Sequence, residues 1–151
     1  QLPDFEDYSM QNRTYRYFKG EPLFPFGHGL SYTRFDYGKA VADKSVLSEG
    51  ETLTLTVPVT NAGKYDGDEV VQVYLRRPGD AGGPSHALRA FCRVHIPCGE
   101  TSQVTISLPY ERFEWFDAAT NTVHPLPGKY ELLYGGTSDL KKLQVLDLTL
   151  E

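Results

Sequence analysis

The sequence is poor in the residues that most often announce chemistry. It holds two cysteines, one methionine and one tryptophan in 151 positions. Cys92 and Cys98 lie six positions apart across an expected strand end. Extended, that stretch separates their Cα atoms by up to ~20 Å, beyond the ~4.4–6.8 Å that a disulfide tolerates, so the thiols are expected to be unpaired. No apolar run approaches the ~20 residues that a membrane-spanning helix needs. Positive charge is not in excess either. The formal net charge is -5 and the pI about 5.4, and Arg76-Arg77 and Lys141-Lys142 are short pairs rather than the clustered face of a nucleic-acid binder. No segment carries a sustained helical period with capping signals.

Catalytic signatures are missing as well. There is no Gly-x-Ser-x-Gly elbow, phosphate-binding glycine loop or His-Glu-x-x-His zinc motif. His28, His86, His95 and His124 are scattered, and none has a second histidine or a cysteine at metal-ligand spacing. His95 beside Cys92 and Cys98 reads as a strand histidine near two thiols. Asp66, Asp68 and Glu69 flank Gly67 as a solvated turn, with oxygen ligands but not the spacing of a calcium-binding EF-hand. Glu114 and Asp117 flank Trp115-Phe116, yet no two carboxylates stand in an evident acid/base arrangement. Neither a metal nor a cofactor is expected.

What is abundant is aromatic, β-branched and turn-forming residues: ten Tyr, eight Phe, fourteen Gly and ten Pro. Thr52–Thr60 alternates Leu53, Leu55, Val57 and Val59 with threonines, the period of two of a half-buried strand. Similar segments follow at Glu69–Arg77, Leu88–Ile96, Thr101–Leu108, Lys129–Tyr134 and Leu143–Leu150. Phe113–Phe116 and Val123 flank a turn at Ala118–Asn121, and a strand near Phe35–Val41 opens the series. Seven or eight strands at this spacing predict an all-β, immunoglobulin-like or fibronectin type III-like sandwich over residues 33–151.

Residues 1–32 read differently, as an extended arm. Tyr15, Tyr17, Phe18, Phe24, Phe26 and Tyr32 fall within eighteen positions. Each ring left in water forgoes ~1.5–3 kcal/mol of burial. Gly27 and Gly29 offer backbone freedom or close approach. Two readings stand open: the arm folds over its own sandwich, or it docks on another domain through Arg13, Tyr15, Arg16, Tyr17, Phe24, Phe26, Gly27, Gly29 and Tyr32.

Arg13–Phe18 and Pro25–Thr33 resemble the junction that precedes the C-terminal domain of glycoside hydrolase family 3 enzymes, with His28 at a variable position. Val59-Thr60-Asn61-Ala62-Gly63, Gly67–Tyr74, Leu88-Arg89-Ala90-Phe91, Gly99-Glu100-Thr101, Gly128-Lys129-Tyr130 and Gly135–Ser138 resemble the family's later blocks in order. Ala90 departs from the usual glycine. Leu2–Met10 and Phe113–Asp117 look most like the β-xylosidase branch.

The resemblance implies a non-catalytic structural domain of a retaining exo-β-glycosidase, a β-xylosidase or β-glucosidase, that is secreted or periplasmic. The catalytic barrel and α/β domain of the same chain are its implied partners. A second copy or a polysaccharide is a further candidate; nucleic acid and membrane are not. Residues 1–32 are then the tail of the α/β domain, and both catalytic carboxylates lie outside this chain. The opening at Gln1, without initiator Met or signal peptide, fits an excised fragment. Two other classes remain as readings. One is a carbohydrate-binding module with a sugar platform on Trp115, Tyr110 or Tyr134. The other is a stand-alone cell-surface interaction domain.

Overall fold

The computed structural model describes residues 3–151. After one helical turn, α1 (Thr14–Tyr17), the chain forms β1 (Phe35–Tyr37), β2 (Val41–Ala42), β3 (Val46–Leu47), β4 (Thr52–Asn61), β5 (Gly67–Arg76), β6 (Ala87–Ile96) and β7 (Thr101–Pro109). A 3-10 turn (Tyr110–Phe113) leads to β8 (Glu114–Asp117), β9 (Thr122–Pro125), β10 (Gly128–Gly135) and β11 (Gln144–Leu150). The architecture is the expected all-β sandwich.

In the first sheet, β4 is the spine. β7 pairs antiparallel along its length, from Thr52 opposite Pro109 to Thr60 opposite Thr101. β1 and β2 follow one another along the rest of β4, Phe35–Tyr37 facing Asn61–Val59 and Val41–Ala42 facing Thr56–Leu55. The single strand expected near Phe35–Val41 is therefore broken. At the break, Gly38 N donates to Pro58 O (2.8 Å), and a Cβ on Gly38 would meet the Pro58 ring at 2.8 Å. The second sheet runs β3-β11-β10-β5-β6, with β3 parallel to β11 and the other pairs antiparallel. β8 and β9 make a separate hairpin around the expected turn.

The alternation of β4 becomes the core. Leu53, Leu55, Val57 and Val59 are fully buried and face Val71, Val73 and Leu75 of β5, Tyr130 and Leu132 of β10, and Leu148 and Leu150 of β11. Like β10, which buries Leu132 to Gly135, β5 buries consecutive residues, Val71 to Leu75. Its second face is covered too, because Tyr74, Leu133 and Leu143 form a small cluster on the outside of the sheet with Tyr15 of the arm against it.

Asn61 closes the β4 end. Its Nδ2 donates to Tyr65 O (2.8 Å) and Ile96 O (2.9 Å), while Oδ1 accepts from Gly63 N (3.1 Å) and from the Thr33 hydroxyl. A Cβ on Gly63 would lie 2.8 Å from Arg34 N. The Asn-x-Gly of the turn thus has a steric and a hydrogen-bonding reason.

Candidate interdomain docking surface

The arm meets the sandwich at two clamps. At the first, Tyr15 lies edge-on to Tyr74 and His86 (5.9 and 5.4 Å between centroids), and its hydroxyl accepts from Leu88 N (3.0 Å). Next to it, Arg16 O accepts from Ser85 N (2.6 Å) and Ser85 Oγ (2.9 Å). At the second, Phe26 stacks on Tyr15 at 5.1 Å, and Phe26 O accepts from Ser138 N (2.8 Å).

Gly27 completes that clamp. Its φ is +81°, and a Cβ would sit 2.5 Å from Gln72 Nε2. Gln72 has little freedom to yield, since Nε2 donates to Gly136 O (2.9 Å) and Oε1 accepts from the Tyr74 hydroxyl. Gly29 differs from the sequence expectation. It has no left-handed φ and nothing within 4 Å of a Cβ, so no close approach requires glycine there.

The other arm residues named from sequence point elsewhere. Arg13 reaches Asp7, with Nη2 donating to Asp7 O at 2.7 Å. The Arg16 guanidinium lies 5.7 Å from the Tyr17 ring centroid. Phe24, 72% exposed, tilts toward His28 at 4.9 Å. Tyr32 and Leu30 are 94% and 98% exposed, and Phe5, Tyr8 and Leu23 are nearly as bare. Thus the arm has an inner side fixed by Tyr15 and Phe26 and an outer side of uncovered apolar groups.

The sugar-platform reading is corrected by burial. Trp115 and Tyr134 are each 2% exposed and Tyr110 is 9% exposed, all within the core cluster. Trp115 packs edge-on to Tyr130 and donates Nε1 to Asp80 Oδ2, and the Tyr134 hydroxyl bridges Ala40 N and Gln144 Oε1, both at 2.8 Å. Rings used in this way offer no face to a sugar.

The acidic turn is also engaged internally. Asp68 Oδ1 meets His95 Nδ1 at 2.7 Å, and Oδ2 accepts from Arg93 Nε at 3.1 Å. Those bonds, His95 first, hold its carboxyl below the usual range. Asp66 Oδ1 accepts from Cys98 N (2.8 Å). Among the described residues no three His, Cys, Asp or Glu side chains are grouped to hold a metal. Cys92 and Cys98 are free thiols.

Residues 69–138 match the fibronectin type III-like domain. The chain carries a fibronectin type III-like domain. Over 148 residues it is 48% identical to a xylan 1,4-beta-xylosidase of Xylanibacter ruminicola, covering 96% of this chain and 17% of that enzyme. It is 38% identical to the thermostable beta-glucosidase B of Acetivibrio thermocellus, covering 82% and 17%. Among solved structures, a β-glucosidase from Erythrobacter marinus superposes with a TM-score of 0.76 at 34% identity, over 92% of this chain and 18% of that one. A Listeria innocua β-glucosidase bound to glucose gives 0.74 at 30%, over 86% and 18%.

The chain thus spans less than a fifth of each of these relatives. Four residues of the clamps were given no role from the sequence, although Gln72 and Ser138 lie within the blocks that carry the family resemblance. Gln72, Ser85, His86 and Ser138 meet the arm only once it has folded back, a contact that neither strand period nor a motif match specifies.

Proposed function

We propose that this fibronectin type III-like domain is a non-catalytic accessory part of a longer retaining exo-β-glycosidase, a β-xylosidase or β-glucosidase, and that its arm fastens it to the catalytic barrel and α/β domains. The observation that carries the reading is the two-sided arm. Tyr15 and Phe26 hold one side to the sandwich, while Phe24, Leu30 and Tyr32 stay uncovered beside them. Apolar groups gathered on one exposed segment mark an interaction surface, and aromatic and Arg side chains are the usual energetic centres of such contacts. The relatives supply the occupant by their length, since most of each lies outside the matched stretch.

Limited proteolysis tests this directly. The segment between Arg13 and Arg34 should be cut sooner in the isolated domain than in the full-length enzyme. Equal rates in both, with the isolated domain monomeric, would overturn the docking.

A further inference from the structure

Two arginines, Arg16 and Arg89, come together beside the first clamp. The bonds from Ser85 N to Arg16 O (2.6 Å) and from Leu88 N to the Tyr15 hydroxyl (3.0 Å) lay α1 over the start of β6, the edge strand of the second sheet. There the register with β5 slips. Leu88 stands opposite Tyr74 and Ala90 opposite Val73, so Arg89 is the extra residue of a β-bulge, a device that re-aims a side chain at a sheet edge. Its Nη2 donates to Glu114 O at the start of β8. Arg13, Arg34, Arg76 and Arg93 each meet a carboxylate, but among the described residues neither Arg16 nor Arg89 does. Both are half-buried, and their Nε atoms are enclosed without a partner. The ends of the side chains are not enclosed. Arg16 Nη1 and Nη2 and Arg89 Nη1, which also lack partners, remain open to solvent. Burial, and then the positive charge of Arg16, hold the Arg89 pKa below the usual guanidinium value, against the pull of Glu114. Two neighbouring cations thus stay uncompensated in a chain whose net charge is -5. Charge taken out of water is normally paired.

We propose that Arg16 and Arg89 together receive one Asp or Glu side chain from the neighbouring catalytic portion of the same chain. This rests on the docking reading above and adds to it the residues and the chemistry of the contact. A carboxylate offers two acceptor oxygens that match the parallel N–H groups of a guanidinium, and its charge offsets the repulsion between the two cations. A carbonyl or hydroxyl oxygen supplies no such charge. The contact uses the open Nη groups and leaves the enclosed Nε atoms as they are. A side chain of the enzyme fits better than a free anion, because Arg16 belongs to the arm whose Phe24, Leu30 and Tyr32 are uncovered, and an ion would leave those groups in water. Most of each relative lies outside the matched stretch, which supplies such a segment.

The experiment follows chymotrypsin cleavage of the arm in the full-length enzyme and in its Arg16→Met, Arg16→Lys, Arg89→Met and doubly Met-substituted forms, and repeats it in the isolated domain. Chymotrypsin cuts at aromatic residues, so these substitutions leave its sites in place. In the full-length enzyme, Arg16→Met should speed cleavage about tenfold, the effect of losing one charge-assisted hydrogen bond. Arg16→Lys, which keeps the charge but not the fork, should fall between the two. The double variant should be cut little faster than the more sensitive single one, because both arginines share one carboxylate. In the isolated domain, Arg16→Met should leave cleavage and stability unchanged, since the guanidinium makes no hydrogen bond there. A crystal structure of the full-length enzyme should place a carboxylate from outside this domain within about 4 Å of the Nη groups of both arginines. Equal cleavage of the arm in the wild-type domain and enzyme would remove the docking, and this contact with it. Protection unchanged by Arg16→Met, an equal acceleration in the isolated domain, or Nη groups that face only water, an inorganic anion or a second copy would leave docking intact and overturn the carboxylate contact.

Discussion

Trp115 Nε1 donates to Asp80 Oδ2 at 2.6 Å, joining the β8–β9 hairpin to the loop between β5 and β6 across thirty-five positions of sequence. Asp80 Oδ1 also accepts from Gly83 N (2.9 Å), which folds the loop back just before Ser85 and His86, the residues that receive the arm. One carboxylate therefore orders both the loop and the approach to the first clamp. Trp115→Phe keeps the ring's packing and removes the donor. It should destabilise the domain by about 1–3 kcal/mol in urea unfolding. Trp115→Ala, which also opens a cavity, should lose about 3–5 kcal/mol. Equal losses for the two would show that the hydrogen bond contributes little.

Asn61 makes four hydrogen bonds from full burial. Asn61→Ala should therefore destabilise by more than the ~1 kcal/mol of an average hydrogen bond, because Tyr65 O and Ile96 O lose their donor. Asn61→Asp should be no milder, since a carboxylate cannot donate to those carbonyls. Denaturation midpoints of the two variants at neutral pH give the comparison.

The glycine pair of the arm separates conformation from composition. Gly27→Ala forces a side chain into a left-handed backbone and against Gln72, and should lose about 1–3 kcal/mol. Gly29→Ala should change stability by less than ~0.5 kcal/mol. Hydrogen exchange at Ser138 N, which donates to Phe26 O, should quicken in the first variant alone.

Acidification should weaken the domain through His86. Its folded pKa, about 4, lies below the ordinary 6.5, so the unfolded chain binds the extra proton first. Stability is full above pH 6.5 and falls as pH drops toward 4. Between pH 7 and pH 5 this one group should remove about 2 kcal/mol. The same loss should be absent from His86→Gln, and urea unfolding of both proteins at the two pH values isolates it from the other histidines.

The sandwich was readable from sequence because its strands carry their burial in a period of two. Leu53 to Val59 in β4 and Val104 to Leu108 in β7 face inward at the residues that the alternation marks. The β8–β9 hairpin followed from its turn. The second face of β5 was not readable in this way. Gln72 and Tyr74 alternate with Val71 and Val73 as an exposed face would, and they are buried only because an arm from forty or more residues earlier lies over them. Trp115 and Tyr134 likewise showed a large ring without showing its partner, and their partners, Asp80 and Ala40, are distant in sequence. The turn α1 is too short to leave a helical period.

The position of β11 has a consequence for the order of synthesis. Residues 144–150 lie inside their sheet, between β10 and β3, and supply Leu148 and Leu150 to the core. Every strand of the first sheet has been made once Pro109 has been added. The second sheet lacks an interior strand until Leu150 follows, and β3, made long before, has no other strand to join. On the ribosome the two halves of the sandwich cannot close together. The early sheet must wait with its apolar face open, and closure falls to residues 144–150.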